Sequence, residues 1–495
     1  MKYISTRGNI HKVNSAEAIR LGMVPNGGLF VPENFPIIND EKLKKLINMN
    51  YQELAKEILS LYLTDFSEKD IENCISLAYN SFNFSSKEIS PLVKLTDNVY
   101  IMELWHGPTA AFKDMALQIM PHLLVKSKEI TKVSKETVIL VATSGDTGKA
   151  ALEGFKNVDG IKIIVFYPKE GVSEIQKLQM NTTDGNNTYV VSVEGNFDDC
   201  QTGVKEIFAD IEYRKSIEKD SKEFSSANSI NWGRLLPQIV YYFKSYTNLV
   251  RDNVIKYGDK INFSVPTGNF GNILAGYYAK KMGLPINKLI CASNDNNVLT
   301  DFFLTGEYNK NRDFYKTISP SMDILISSNL ERFLFDITGN NGETVDKWYV
   351  ELQKNGSFKV DEDTLNKMND IIYVSYATED DTKKEIKKVK NSYNYISDTH
   401  TAVAIKAVDD LNNKLYGVTV VASTASPYKF SESVIESILD KKIEDEFAAI
   451  DEIAKIGNCD IHRAVKNLKE KEILHKETIK ISEMKDIIKK IVINK

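Results

Sequence analysis

The chain has 495 residues, 42% hydrophobic, 26% charged and 10% aromatic, with 63 Lys and Arg against 68 Asp and Glu for a formal charge of −5. This length is about three domain lengths and carries ample apolar content, which excludes a disordered chain and predicts two or three packed units. The near-balanced, slightly acidic charge argues against a nucleic-acid binder, and no stretch reaches the roughly 18 apolar residues of a membrane helix. Cys74, Cys200, Cys291 and Cys459 are scattered without a CxxC pair, so neither a disulfide framework nor a zinc ribbon fits. The segment MKYISTRGNIHK has no signal-peptide core, and the expectation is a soluble, cytoplasmic enzyme with no nucleic-acid or membrane partner.

In chain order, a Pro- and Gly-bounded turn at residues 24–32 leads into a short extended run. From Asp40 to about Ser81, apolar residues recur at three- and four-residue intervals and predict amphipathic helices. PLVKLTDNVYIMELW reads as extended, HGPT as a breaker, and FKDMALQIMPHLLVK as a helix that Pro121 bends or interrupts. TVILVATSGDTGKAALEGF and KINFSVPTGNFGNILAGYYAKKMGLP each read as strand, Gly loop and helix, and KIIVFYP, KLICAS and YGVTVVAST add further strands. Continuous apolar strands alternating with helices predict α/β architecture around mostly parallel sheets, with ligands at the carboxyl ends of the strands. The last fifty residues, rich in Lys and Glu, predict a solvated helical cap.

Two loops and one lysine stand out chemically. Gly268-Asn269-Phe270-Gly271-Asn272 follows a strand and opens a helix, where glycines and unpaired N–H groups suit a phosphate. The same five residues also read as a plain tight turn, and G-x-G-x-x-G fails because the next glycine is Gly276. In Thr143-Ser144-Gly145-Asp146-Thr147-Gly148-Lys149-Ala150 both ends of a nucleotide-binding P-loop fail, at Thr143 and Ala150. What remains suits a carboxylate, or a well-capped helix start. Lys113, in AAFKDMALQ, reads as a Schiff-base amine of lowered pKa or as an ordinary surface lysine. His106, His122 and His400 lack metal-ligand spacing and read as structural, and no G-x-S-x-G elbow is present.

Taken in order, HGPTAAFKD, ATSGDTG, PTGNFGN and STASP closely resemble the threonine synthases, pyridoxal-phosphate enzymes of fold type II with a tryptophan synthase β-like fold. YISTRG, GGLFVP, GVSEIQKLQM, NSINWGR, SPSMDILISSNLERFLF and DTHTAVA extend the resemblance to the longer form of that family and to nearly the whole chain. It implies that Lys113 holds pyridoxal 5′-phosphate as a Schiff base and shuttles protons, that Gly268, Asn269, Phe270, Gly271 and Asn272 cradle the cofactor phosphate, and that the Thr424 hydroxyl meets the pyridine nitrogen. Ser144 and Thr147 are expected at the substrate α-carboxylate. Asp146 takes the place facing the cofactor 3′-oxygen, often Asn in related enzymes, and should repel there unless it accepts a proton or faces a cationic imine. Ser173, Lys177, Asn231 and Arg234 are candidates for the substrate phosphate, each with a structural reading as well. Asn26, where the family often has Asp, reads as a turn substitution.

The implied reaction is that of a carbon–oxygen lyase acting on phosphates: O-phospho-L-homoserine and water give L-threonine and phosphate, the last step of threonine biosynthesis. The alternatives are a related phospho-lyase that releases 2-oxobutyrate, and a nucleotide-binding protein using SGDTGK. The expected organisation is a largely helical extension over 1–90, a smaller α/β domain with the lysine and TSGDTG over 91–260, a larger α/β domain over 261–440 and a helical cap over 441–495. The chain is expected to act as a monomer or homodimer.

Overall fold

The computed structural model describes residues 1–25, 27–143 and 145–493. Two sheets organise the chain. The smaller has five parallel strands in the order Thr478–Lys480, Thr188–Glu194, Ile161–Pro168, Glu136–Ala142 and Lys222–Ser225. The larger has six, in the order Ile372–Tyr376, Ile286–Ser293, Ile261–Pro266, Thr419–Ser423, Val99–Glu103 and Leu92–Lys94, all parallel except the last.

Alternation explains why the small-sheet strands read as unbroken apolar runs. Ile139, Val141, Ile163 and Val165 enter one core, while Val138, Leu140, Ile164 and Phe166 enter another on the opposite face. A sheet covered on both sides needs apolar residues at both phases of the pleat. The second face is closed by the helix Met484–Ile493 through Met484, Ile487, Ile488 and Val492.

The N-terminal helices Asp40–Leu46, Tyr51–Tyr62 and Glu68–Ala78 fall where the periodicity predicts them. Asn50 with Glu53, and Ser67 with Asp70, form capping boxes that set two of their starts. Leu54, Ala55, Ile58, Leu59 and Tyr62 bury one face in the core shared with the large domain. Pro121 interrupts as expected: one helix spans Asp114–Leu117, and the next, Met120–Ile130, holds Pro121 in its first turn, where its missing N–H costs nothing.

The division in space departs from the linear one in two places. Residues 92–103, expected with the smaller domain, form two strands of the large sheet. The segment 441–495, expected as a helical cap, contributes the helices Glu446–Gly457 and Met484–Ile493 but also the small sheet's edge strand Thr478–Lys480. A strand of three residues is too short to register as a period.

Candidate active site

Four loops converge at the carboxyl ends of the two sheets. After Val99–Glu103 the chain runs along the loop that leaves Thr419–Ser423: Phe112 N–H donates to the Thr424 carbonyl at 2.8 Å, Ala111 bridges Ala425, and Ser426 N–H donates to the Ala110 carbonyl at 3.0 Å. Ala110 takes a left-handed backbone (φ 61°) within this crossing. Asp114 then closes the HGPT turn, its carboxylate accepting Thr109 N–H at 2.8 Å and the Thr109 hydroxyl at 2.7 Å. A Cβ at Gly107 would lie 2.4 Å from the Asp114 side chain, so the turn tolerates only glycine there. Burial pushes the Asp114 carboxyl up to about 6 against these two hydrogen bonds.

These constraints deliver Lys113 to the junction, buried, with Nζ 3.2 Å from Ser321 Oγ, 3.5 Å from Asp146 Oδ2 and 5.3 Å from the Phe112 ring centroid. Burial lowers its pKa from the ordinary lysine value; Asp146 opposes the shift, and Lys429 and Arg234 add to it. Asp146 is the first residue of the helix Asp146–Phe155, entered from the Glu136–Ala142 strand. Its Oδ1 accepts from Lys429 Nζ at 2.8 Å and from Gln176 Nε2 at 3.0 Å. Burial alone would raise this carboxyl, but Lys429 and Lys113 outweigh it and hold it well below the usual carboxylate range. The charge expected to repel an anionic ligand is therefore neutralised by cations, not by a proton.

The Gly268–Asn272 loop follows Ile261–Pro266 and opens the helix Gly271–Lys281, with Phe270 in the left-handed region at φ 61°. A Cβ on Gly268 would come 2.7 Å from the Ser321 carbonyl, so the absent side chain lets the Ser321 turn lie against the loop. Asn269 is fixed from behind: its carbonyl accepts from Asn329 N–H at 3.1 Å and Asn329 Nδ2 at 2.9 Å. Asn272 Oδ1 accepts from the hydroxyls of Tyr241 at 2.6 Å and Tyr242 at 2.8 Å, while its Nδ2 is buried without a partner. An oriented amide donor left free beside the N–H groups of a helix start is the chemistry of an anion cradle.

Of the substrate-phosphate candidates, Arg234 is buried with Nη1 donating to the Ala227 carbonyl at 2.7 Å and Nε without a partner. Among the described residues no carboxylate pairs with it, and burial lowers it to about 10. Asn231 is spent on structure: Oδ1 accepts Gly233 N–H at 2.8 Å, capping the turn that carries Arg234, and Nδ2 reaches the Ile19 carbonyl at 3.1 Å. Ser173 Oγ likewise caps the helix Glu174–Asn181, accepting Gln176 N–H at 3.2 Å. Lys177, half-buried on that helix, forms no ion pair among the described residues. Thr147 is half-buried in the first turn after Gly145, and Thr424 is buried at the end of its strand. Ser144 and Asn26 lie outside the described residues.

The nucleotide-loop alternative fails on geometry. Lys149 Nζ turns inward to Glu153 and, at 2.9 Å, to Thr183 Oγ1, while Thr143 Oγ1 is occupied by the N–H groups of Gly145 at 3.0 Å and Gly148 at 2.9 Å.

Sequence reasoning missed Lys429, Gln176 and Ser321 as site residues. Gln176 and Ser321 lie inside quoted motifs, where Lys177 stands out as the charged neighbour, and Lys429 sits two residues beyond STASP. The structural reading of His400 agrees with its bonds: Nε2 accepts Ser321 N–H at 3.1 Å, which puts the ring proton on Nδ1, 3.0 Å from Asp398 Oδ1.

A family model described as "Pyridoxal-phosphate dependent enzyme" matches residues 85–350, the span that contributes Lys113, Asp146 and the Gly268–Asn272 loop. The buried amine, the phosphate-type cradle with its free Asn272 donor and the neutral Thr424 beyond it fit that cofactor, and define a pyridoxal-phosphate enzyme of fold type II. A second model, "Threonine synthase N terminus", matches residues 2–79. The threonine synthase of Pseudomonas aeruginosa is 37% identical over 88% of this chain and 90% of its own. The crystal structure of the yeast threonine synthase superposes with a TM-score of 0.89 at 34% identity over 100% of this chain and 99% of that one. Human threonine synthase-like 1 is 39% identical over 87% of this chain, but this chain spans only 58% of that protein. The chain belongs to the threonine synthase family.

Proposed function

We propose that the protein converts O-phospho-L-homoserine and water to L-threonine and phosphate, the last step of threonine biosynthesis. The observation that carries this reading is the pairing of a buried amine, Lys113, with two separate anion sites: the Gly268–Asn272 helix start and the buried Arg234, which has no acidic partner among the described residues. A cofactor phosphate and a substrate phosphate need one each.

When bound, pyridoxal phosphate supplies an aldehyde that takes up amines and a ring that withdraws electrons from the adjoining carbon. The chain supplies the rest. Gly271, Asn272 and the loop before them would hold the cofactor phosphate, and the uncharged Thr424 hydroxyl would meet the ring nitrogen without forcing a proton onto it. Lys113 Nζ, with its pKa lowered by burial, takes protons from the substrate carbons and returns them, and Ser321 Oγ steadies it at 3.2 Å. Thr147, in the first turn of its helix, receives the α-carboxylate together with Ser144. Arg234 and Lys177 bind the leaving phosphate, with Asn231 and Ser173 holding the elements that carry them. The chain acts as a monomer or homodimer on this reading. No helix among the described residues is long and apolar enough to cross a membrane. The free cysteines Cys74, Cys200, Cys291 and Cys459 support a reducing, cytoplasmic setting.

Incubation with O-phospho-L-homoserine and chromatography of the carbon products tests the reading. Threonine with equimolar phosphate is expected; 2-oxobutyrate with ammonia as the main products would overturn the synthase in favour of the phospho-lyase.

A further inference from the structure

Asp146 belongs to the small domain, yet its closest cation comes from the other side of the junction. Lys429 lies on the short turn Pro427–Phe430, which follows the large-sheet strand Thr419–Ser423, and its side chain is 0% exposed. Its Nζ is 2.8 Å from Asp146 Oδ1 and 3.0 Å from the Thr109 carbonyl. Thr109 is the residue that ties the HGPT turn to Asp114, next to Lys113. Gln176 takes the same Asp146 oxygen from the small domain at 3.0 Å, which leaves Oδ2 to Lys113 Nζ and Ser321 Oγ, both at 3.5 Å. One buried carboxylate is thus shared between two amines, Lys429 from the large-sheet side and Lys113 at the junction.

A wholly buried lysine is costly unless its charge is used. Packing alone would be served by an apolar residue of similar size. We propose that Lys429 is a positioning residue for the reaction at Lys113: it pins the Asp146 carboxylate across the domain junction and takes half of its charge, so that the other oxygen stays on Lys113 Nζ. This rests on the reading above only in taking Lys113 as the reactive amine. The charged groups facing the pair are Lys429 and Arg234, with Lys113 and Asp146 themselves, and the titratable ring of His400 lies beside them.

The test is a pH titration of the visible absorbance of the full-length protein loaded with pyridoxal phosphate. Lys429→Gln keeps a donor to Asp146 but removes the charge. With one of its two cations gone, the carboxylate acts on the Lys113 nitrogen alone, and the midpoint is expected to rise by about one pH unit. Lys429→Arg restores the wild-type midpoint, and Asp146→Asn lowers it. In the Asp146→Asn background, Lys429→Gln moves the midpoint by less than half as much, because the carboxylate that transmits the effect is gone. An unchanged midpoint in Lys429→Gln, or an equal shift in both backgrounds, overturns the proposal. If Lys429→Gln does not fold, the double variant decides: folded with a midpoint near that of Asp146→Asn it supports the charge pairing, and unfolded it makes Lys429 a packing residue. A protein that takes up no cofactor overturns this proposal and the functional reading together, whereas the identity of the product bears only on the latter.

Discussion

Asn272 concentrates the argument for the cofactor into one side chain, since two tyrosine hydroxyls hold its oxygen and its amide nitrogen has no partner. Asn272→Asp keeps the acceptor but puts a negative charge where the free donor was. An absorbance titration is expected to show pyridoxal-phosphate affinity weaker by about 100-fold or more; equal affinity would remove Asn272 from the cradle. Asp114 carries a pH signature. Its folded pKa of about 6 lies above that of the unfolded chain, so native protein binds the extra proton and stability falls as pH rises from about 4 to 6. Two pH units correspond to roughly 3 kcal/mol. In urea melts, Asp114→Asn should therefore gain on wild type by about that amount between pH 4 and 7, and an offset that does not change with pH would refute the assignment. Taken alone, the glycine loop reads equally as a tight turn and Lys113 as a surface lysine; the order of the motifs along the chain is what singles them out in the sequence. The Lys429–Asp146 contact was not legible there, because its two halves are 283 residues apart and only the fold brings them together.

At the scale of elements, one carboxylate gathers the chain on either side of the turn bearing Ser321. Asp323 Oδ1 accepts from Thr317 Oγ1 at 2.7 Å, Asn294 Nδ2 at 2.8 Å and Asn296 Nδ2 at 2.9 Å, and its Oδ2 accepts Thr317 N–H at 2.9 Å. Asp323→Ala removes these four hydrogen bonds at once and leaves the Thr317 N–H without its acceptor. The expected result is about 2–3 kcal/mol of lost stability, with faster hydrogen exchange over residues 315–323 and a fall in kcat as Ser321 loses its place. Unchanged exchange there would show that the turn is held by other means. The principal helices and strands were readable from periodicity and caps. The three-residue strand at 478–480 was not, since its single buried residue, Ile479, makes no pattern.

At the scale of the whole molecule, Arg332 joins parts that are distant in sequence. Fully buried, it donates Nε to the Phe30 carbonyl at 2.9 Å, Nη1 to Asn329 Oδ1 at 2.6 Å and Nη2 to the Ile230 carbonyl at 2.6 Å. The N-terminal strand, the residue behind the Gly268–Asn272 loop and the turn before Arg234 are thereby tied to one guanidinium. Lys cannot reproduce the three-way fork. Arg332→Lys should lower stability by about 2–4 kcal/mol and weaken cofactor binding along with it. Denaturant melts and absorbance titration check this, and a variant with wild-type values in both would contradict the linkage. Removing residues 472–493 is expected to strip the edge strand and the closing helix from the small sheet, baring Val191, Val193 and Val204. Light scattering should then show aggregation on expression, and a monodisperse product would show the small sheet to be self-sufficient. The linear division into four segments was only partly recoverable because the chain crosses between the two domains more than once, and composition does not mark a crossing.

That edge strand also imposes a schedule on birth. Strand Thr188–Glu194 pairs with Thr478–Lys480, so after the ribosome finishes the former it must make more than 280 further residues before the partner exists. At about 5–20 residues per second this is a wait of roughly 15–60 s. Throughout it, a buried-type apolar edge stands open to any other nascent chain. The small sheet stays incomplete for that whole interval, and a chaperone would have a long engagement there.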